Sequence, residues 1–280
     1  MALIMRKPPA LNSGSPHAAG HDPEATERRP CVTGLLAGRV ALVTGGTRGI
    51  GAAVAVAFAD SGADVALNYS DGDEIPEAML RAIRGRGVRA VAFQADPAVP
   101  RQVRGLISNV VGSLGRLDVL VNTSACLVTG GVDDPDSDLP SLDRQMAARI
   151  GGAIGAIRAA ARVMRRGGRI ITLGSAFADR VGSPGLADYA AASAALVGYS
   201  RGAARDLGPA GITVNVVQAG EVVLATDRSE ASLAEAQGVS NALGRCGRPE
   251  EIAAGIIFLA SLGASFITGA VPTIDGGGNA

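Results

Sequence analysis

The sequence predicts an α/β fold in which a doubly wound parallel sheet of seven strands carries helices on both faces. From Arg39 to the C-terminus, short runs rich in β-branched residues alternate with longer alanine-rich segments. Such alternation gives parallel strands joined by right-handed crossovers. Most of the runs are apolar nearly throughout, as strands buried on both faces are. The predicted strands are residues 39–44, 64–68, 89–94, 118–122, 169–174, 213–217 and 271–275.

Two regions of the chain differ in composition. Residues 1–34 combine Pro, Ser, Gly, His and charged side chains without an apolar period, and they are predicted to form a disordered extension. Residues 35–280 are predicted to form one domain. The N-terminal MALIMRKPP meets charge and prolines too early for a signal peptide, and no apolar stretch reaches the ~20 residues of a membrane span. We therefore expect a cytoplasmic protein without a membrane partner.

Charge and rare residues restrict the chemistry. The 26 basic and 26 acidic residues are interspersed and leave no basic surface typical of nucleic-acid binding, so a small molecule is the expected partner. The three cysteines are far apart and lack a CxxC spacing, which argues against a disulfide framework or a zinc site. The one lysine, Lys7, and both histidines, His17 and His21, fall in the predicted extension. A Ser/His/Asp triad, a histidine metal site and a lysine Schiff base are thereby excluded from the domain.

A glycine-rich loop follows the first predicted strand. The segment TGGTRGIG, residues 44–51, leads directly into an apolar helix. Glycines there allow a tight turn and let backbone N–H groups approach a pyrophosphate at the positive end of the helix. This placement predicts a Rossmann dinucleotide site. Its cofactor-binding residues are predicted to be Gly45, Thr47, Arg48, Gly49, Ile50 and Gly51.

The end of the second predicted strand favours NADP(H) over NAD(H). That strand ends in Asn68-Tyr69-Ser70, with no acidic residue where an NAD-selective site often binds the ribose 2′-hydroxyl, although Asp71 follows closely. Arg48 and the Ser70 hydroxyl are available to bind a 2′-phosphate, with Asn68 beside them. The alternative is that Arg48 is only a solvated loop charge.

Further motifs follow in a set order. After the TGGTRGIG loop come DVLVN, ARDLGPAGITVNVV, LGRCGRPEEIA and ASFITGAVPTIDGGG. Together they resemble the short-chain dehydrogenase/reductase family, and within it the 3-oxoacyl-carrier-protein reductases, from about residue 36 to the end of the chain. The resemblance implies that Asp96 contacts the adenine, that Asn122 lies at the cofactor, and that residues 221–248 form the substrate loop.

The resemblance also implies a catalytic set of which this chain keeps a part. In the family, a tyrosine gives a proton to the substrate oxygen and a serine hydrogen-bonds that oxygen. A lysine four residues after the tyrosine makes the phenol more acidic and binds the nicotinamide ribose, and an asparagine on the preceding helix completes a proton relay. Here Tyr189 and Ser175 match the tyrosine and the serine. The lysine position holds Ser193, and the asparagine position holds Arg149.

Other departures lie on the same side of the inferred site. Thr123-Ser124-Ala125 stands where the family completes an NNAG motif, and Ala219-Gly220 stands for its usual Pro-Gly. The adenine and phosphate half of the site is intact, so cofactor binding is expected to survive better than chemistry.

Two of the altered positions leave alternatives open. A phenol has a pKa of about 10, so a tyrosine without a cationic neighbour exchanges protons poorly near neutral pH. Arg149 either supplies positive charge nearby or covers the surface of an alanine-rich helix, and a guanidinium does not relay protons at ordinary pH. Ser193 either fills space or orders a water where the lysine ammonium would lie.

Three functions compete, in this order. The first is an NADP(H)-dependent oxidoreductase that reduces a C=N, C=C or activated C=O group with an incomplete proton relay. The second is a non-redox cyclase, isomerase or dehydratase in which Tyr189 and Ser175 polarise an oxygen. The third is a non-catalytic subunit that supports an active paralogue in a mixed oligomer. The resemblance implies a homotetramer or homodimer, and Gly151, Gly152 and Gly155 would let helices of different subunits approach closely.

Overall fold

The computed structural model describes residues 34–70, 76–123, 127–223 and 241–280. The predicted disordered extension lies outside these ranges, apart from Gly34. Asp71, Ser124, Ala125 and residues 224–240 of the predicted substrate loop also lie outside them.

The described residues contain all seven predicted strands. These are β1 (Val40–Thr44), β2 (Asp64–Tyr69), β3 (Ala90–Gln94), β4 (Val119–Asn122), β5 (Arg169–Ser175), β6 (Thr213–Ala219) and β7 (Thr273–Ile274). They form one parallel sheet in the order β3-β2-β1-β4-β5-β6-β7, which confirms the predicted doubly wound fold. β7 is shorter than predicted because Pro272 has no backbone N–H with which to extend the strand.

Helices cover both faces of this sheet. They are α1 (Gly49–Asp60), α2 (Glu77–Arg84), α3 (Pro100–Leu114), α4 (Leu139–Met146), α5 (Ala153–Ala161), α6 (Ala187–Leu207) and α7 (Pro249–Ala260). Successive residues of β1 enter opposite cores, since side chains alternate along a strand. Val43 packs in the core of α1, α2 and α7, which contains Phe58, whereas Leu42 packs in the core of α3, α5 and α6, which contains Ile107. No helix in the described ranges is long and apolar enough to cross a membrane.

A π-helical segment, Ala147–Gly152, joins α4 to α5 without a break. Such segments are rare and recur at functional sites. Gly152, at its end, lies so close to the turn after β3 that an added Cβ would be 2.6 Å from the Pro97 carbonyl oxygen. An added Cβ at Gly155 would be 3.6 Å from Val103 of α3, an ordinary contact. Gly152 therefore allows a close contact within the chain, and the predicted contacts of these glycines between subunits stay a prediction.

The strand order brings the predicted site together at one edge of the sheet. Neighbours of β1 lie on both sides of it, so a crevice opens at the carboxyl ends of β1 and β4. Thr44 and Asn122, the last residues of those strands, are paired there. Ser175 ends β5, the next strand along. The glycine-rich loop and Ser175 therefore share the edge at which doubly wound sheets bind their ligands.

Candidate active site

The glycine-rich loop has a backbone that other residues would strain. Gly45 has φ +63° and Gly49 has φ +53°, both in the left-handed region. At Gly51, an added Cβ would be 2.2 Å from the Gly45 carbonyl oxygen and 2.6 Å from Oγ1 of Thr123. Thr123 in turn donates its hydroxyl to the carbonyl oxygen of Thr44. The chain at Gly51 is thus held against the end of β4 with no room for a side chain at that position.

The first turn of α1 lies at the end of this loop. The N-cap residue, Arg48, gives no side-chain hydrogen bond to that turn. The early N–H groups of a helix have no acceptor within the helix, and the helix dipole adds positive potential there. The exposed position of Arg48 adds a cation, and Thr47 and Ile50 complete the loop, both half-buried. This arrangement fits the pyrophosphate of a dinucleotide.

Asn68 positions the loop instead of presenting its amide to a ribose. It is 3% exposed, its Oδ1 accepts the Gly45 N–H at 2.7 Å, and its Nδ2 donates to the Ala95 carbonyl oxygen at 2.7 Å. The side chain therefore ties the loop to the end of β3. Of the residues predicted to bind the 2′-phosphate, Ser70 lies half-buried just beyond β2.

Asp96 lies just beyond β3 with a fixed carboxylate. Its Oδ2 accepts a hydrogen bond from the Arg144 guanidinium at 2.8 Å, and its Oδ1 accepts the Ala98 N–H at 2.8 Å. A carboxylate can accept about four hydrogen bonds, so these contacts orient the group and leave capacity for an adenine. Arg144 was missed by the sequence analysis because it lies on α4, far along the chain.

A narrow cleft lies behind this edge, lined by Thr44, Asn122, Thr172 and Arg149 among others. Asn122 donates its Nδ2 to Thr172 Oγ1 at 3.3 Å. Its Oδ1 is buried and finds no hydrogen-bond partner in the described part of the chain. Most buried acceptors are paired, so an orphaned oxygen at this crevice suits the hydroxyl of a bound ribose. Together with the glycine-rich loop, this residue set fits a dinucleotide cofactor.

Tyr189 and Ser175 are linked through Phe177. Tyr189 lies in the first turn of α6, and its ring meets the Phe177 ring edge-on at a centroid distance of 6.3 Å. The Ser175 oxygen accepts the Phe177 N–H at 3.2 Å. Because that bond uses only an acceptor lone pair, Ser175 keeps its hydroxyl proton for another partner. Nothing in the sequence marked Phe177 as part of the site.

Arg149 is buried against Tyr189, which agrees with the first of the two alternatives given for this residue, a positive charge near Tyr189, and not with the second. Its side chain is not a surface cover, because the residue is 4% exposed. Tyr189 does not lack a cationic neighbour, because the Arg149 guanidinium carbon lies 4.1 Å from the centroid of its ring. Stacking of this kind between Arg and an aromatic face is favourable, and more so away from solvent.

Ser193 connects the same two residues. It is fully buried, accepts a hydrogen bond from Nη2 of Arg149 at 3.2 Å, and donates its hydroxyl to the Tyr189 carbonyl oxygen at 2.9 Å. Ser193 therefore does more than fill space, because it contacts both Arg149 and Tyr189. The predicted alternative, an ordered water where the lysine ammonium would lie, stays a prediction.

The two ends of the predicted substrate loop are tied together beside β6. Val222 forms a parallel bridge with Gly247, and the Gly247 N–H donates to the Glu221 carbonyl oxygen at 2.9 Å. Burial, with a smaller contribution from Asp275, raises the pKa of Glu221. The base of the loop is thus fixed, while residues 224–240 lie outside the described ranges.

Glu251 fastens this base to the start of α7. Its carboxylate accepts two hydrogen bonds from the Arg245 guanidinium, at 2.7 and 2.8 Å, and the Arg248 backbone N–H at 2.8 Å. The hydrogen bonds from Arg245, followed by that from Arg248, lower the pKa of Glu251 from 4.5 to about 2.

Glu251→Gln is expected to lower the melting temperature by a few degrees near neutral pH. A carboxylate with a depressed pKa stabilises the fold fully above its ordinary pKa of 4.5, and this contribution disappears as the pH falls through about 2. Thermal unfolding of both proteins across this range should therefore show a gap that shrinks with acid. Glu250→Gln, at an exposed carboxylate in the same turn, is the control. A gap independent of pH would contradict the role given to Glu251.

Comparison with known proteins identifies the family. A family model described as Enoyl-(Acyl carrier protein) reductase matches residues 45–279, most of the chain. The chain belongs to the short-chain dehydrogenase/reductase family. It is 37% identical to the cyclic-di-GMP-binding biofilm dispersal mediator protein of Escherichia coli K12, over 87% of this chain and 98% of that protein. It is also 37% identical to 3-oxoacyl-[acyl-carrier-protein] reductase FabG of Staphylococcus aureus Mu50, over 85% and 96%.

Solved structures of the family agree with this fold. A short-chain dehydrogenase from Burkholderia cenocepacia J2315, crystallised in complex with NADP, superposes with a TM-score of 0.83. It is 42% identical in sequence, and the match covers 88% of this chain and 99% of that one.

Within this short-chain dehydrogenase/reductase, the altered positions are not independent of one another. Arg149 and Ser193, which are predicted to occupy the family's asparagine and lysine positions, are hydrogen-bonded to each other across two helices. Thr123, in the altered NNAG segment, holds the end of β1 and closes over Gly51. Three of the departures, Thr123, Arg149 and Ser193, therefore belong to two local packing arrangements, one at the glycine-rich loop and one at Tyr189.

Proposed function

We propose that this chain is an NADP(H)-dependent reductase that reduces a C=N, C=C or activated C=O group of a small molecule. The observation that carries the proposal is the meeting of three features at one sheet edge. These are a glycine-rich loop with no space for a side chain at Gly51, an uncapped helix N-terminus, and the Tyr189 and Ser175 pair. The first two suit a pyrophosphate, and the third offers two hydroxyl donors to a substrate heteroatom.

Each residue has a distinct role in this proposal. Bound NADPH would supply the hydride. Tyr189 donates a proton to the substrate atom that gains negative charge, and Ser175 donates a hydrogen bond to the same atom. Asn122 accepts from a ribose hydroxyl through its orphaned Oδ1, and Asp96 contacts the adenine.

Activated substrates need less proton transfer than simple ketones, which suits a site with few groups that can deliver a proton. Residues 34–280 contain neither lysine nor histidine, and guanidinium groups do not relay protons at ordinary pH. Proton return to Tyr189 therefore has to come from solvent. Reduction of an iminium gives a neutral amine without any proton transfer, and an activated carbonyl demands less acid assistance than a simple ketone.

The choice of NADP(H) over NAD(H) rests on charge. Residues 68–70 carry no acidic side chain that would repel a 2′-phosphate, and the exposed Arg48 lies in the adjacent loop. The related Burkholderia protein was crystallised with NADP. The proposal further includes a cytoplasmic location and assembly as a homotetramer or homodimer, without a nucleic-acid or membrane partner.

Titration of the purified protein with NADPH and NADH, followed by incubation with ketones, activated ketones, imines and enones, tests the proposal. We expect tighter binding of NADPH and cofactor oxidation with at least one activated class. Denatured protein supplies the blank for uncatalysed oxidation. Tight NADPH binding without oxidation by any class would contradict reduction. Product formed without a nicotinamide cofactor would favour the non-redox alternative instead.

A further inference from the structure

The Arg149 guanidinium is an unusual buried charge. The residue is 4% exposed, and no carboxylate in the described ranges forms an ion pair with it. Its Nε has no hydrogen-bond partner there either. A buried charge is costly unless neighbouring groups compensate for it, and such groups concentrate at functional sites.

We propose that Arg149, held in place by Ser193, supplies the fixed positive charge beside Tyr189 for which other short-chain dehydrogenases/reductases use a lysine on the tyrosine's own helix. The cation then comes from the π segment between α4 and α5 instead of from α6. This inference rests on the proposed function, because it assigns the group that positions and polarises the proton donor. Arg149 is thus a positioning residue that acts through Tyr189.

The contacts indicate one buried site with room for a single cation, which a side chain from either position 149 or position 193 could supply. The guanidinium carbon lies 4.1 Å from the Tyr189 ring centroid, and Nη2 donates to Ser193 Oγ at 3.2 Å. Ser193 Oγ also donates to the backbone carbonyl oxygen of Tyr189, one turn earlier in α6, at 2.9 Å, which orients the Ser193 oxygen to accept the hydrogen bond from the guanidinium. A longer side chain at position 193 would extend into the guanidinium. The two residues therefore complement each other. Ser193 is short where the family has a long lysine, and Arg149 is long where the family has a shorter asparagine on the facing helix.

The π segment explains how a residue of the neighbouring helix contacts Tyr189. It inserts an extra residue into the turn that carries Arg149 and changes the direction in which that turn projects its side chains. Gly152 allows this turn to lie against the Pro97 carbonyl. A guanidinium at this place differs from an ammonium in one respect: it holds its charge at any ordinary pH and passes no proton on.

Variants that move the positive charge from position 149 to position 193 test this shared cation site, and the experiment needs no catalytic turnover. The proteins are wild type, Ser193→Lys, Ser193→Met, Arg149→Asn and the double variant Arg149→Asn/Ser193→Lys. We expect Ser193→Lys to melt roughly 5–10 °C below Ser193→Met, since both crowd the guanidinium but only lysine adds a second buried cation. The double variant should regain most of that loss. Equal melting of Ser193→Lys and Ser193→Met, or no recovery in the double variant, would overturn the inference.

Kinetics with a substrate found by the NADPH oxidation assay test the action on Tyr189. Arg149→Met should lower kcat at least about 10-fold, with KM and NADPH affinity within about 3-fold of wild type, as expected when a general acid is impaired. Arg149→Lys keeps a positive charge at this position and should retain most of the wild-type kcat. Wild-type kcat in Arg149→Met would overturn the inference while leaving the proposed function intact. If no substrate is reduced, the proposed function fails, and the melting comparison alone decides whether the two positions share one cation site.

Discussion

Replacing Gly51 with alanine is expected to weaken NADPH binding about 100-fold and to destabilise the fold. The added Cβ would lie 2.2 Å from the Gly45 carbonyl oxygen and 2.6 Å from Thr123 Oγ1. The Gly45 oxygen belongs to the backbone and cannot rotate away. Thr123 Oγ1 is hydrogen-bonded to the Thr44 carbonyl oxygen, and rotating it away would break that bond. Overpacking of this kind costs about 1–3 kcal/mol, and a displacement of the loop worth about 2.8 kcal/mol corresponds to about 100-fold in Kd.

Gly112→Ala is the matched control for this substitution. Gly112 lies in the exposed part of α3, and an added Cβ there meets nothing within 4 Å. Alanine is favoured over glycine inside a helix by about 0.5–1 kcal/mol, so this variant should be slightly more stable, with unchanged NADPH binding. Fluorescence titration with NADPH and thermal unfolding measure both effects. Wild-type affinity in Gly51→Ala would show that the cofactor does not depend on this loop.

The sheet could be predicted from the sequence because its signals are local. Most strands are short apolar runs, fully buried in β1, β4 and β6, and the glycine-rich loop is eight consecutive residues, 44–51, between a strand and a helix. The π segment carried no such signal. Nothing in its residues, AARIGG, specifies a π turn, and its packing depends on Gly152 meeting Pro97 from a different part of the chain.

The site was only partly predictable because several of its contacts join distant residues. Asn68 holds Gly45, 23 residues away, so its amide is used by the protein and not offered to the cofactor. Arg149 bonds Ser193, 44 residues away, and each looks like a simple loss when its position is considered alone. The resemblance predicts Tyr189 and Ser175 as the catalytic pair, but the sequence could not show that a cation reaches Tyr189 from the neighbouring helix.

Tyr189→Phe is expected to lower kcat for an activated ketone by about 10²–10⁴-fold, the usual contribution of a general acid. The substitution removes only the hydroxyl. The ring contacts to Phe177 and to the Arg149 guanidinium need no oxygen, so the melting temperature and NADPH affinity should stay close to wild type. Steady-state kinetics, with NADPH titration and thermal unfolding of the same samples, separate a lost proton donor from a damaged fold.

Tyr199→Phe supplies the control, because Tyr199 lies on the same helix with the Arg158 guanidinium 5.9 Å from its ring centroid. Its kcat should match wild type.

A comparison of two substrate classes tests the role of the Tyr189 hydroxyl more sharply. Hydride addition to a ketone leaves an alkoxide that must be protonated, whereas addition to an iminium leaves a neutral amine. Tyr189→Phe should therefore impair ketone reduction far more than iminium reduction. Equal losses with both substrates would mean that the Tyr189 hydroxyl orients the substrate and does not donate the proton.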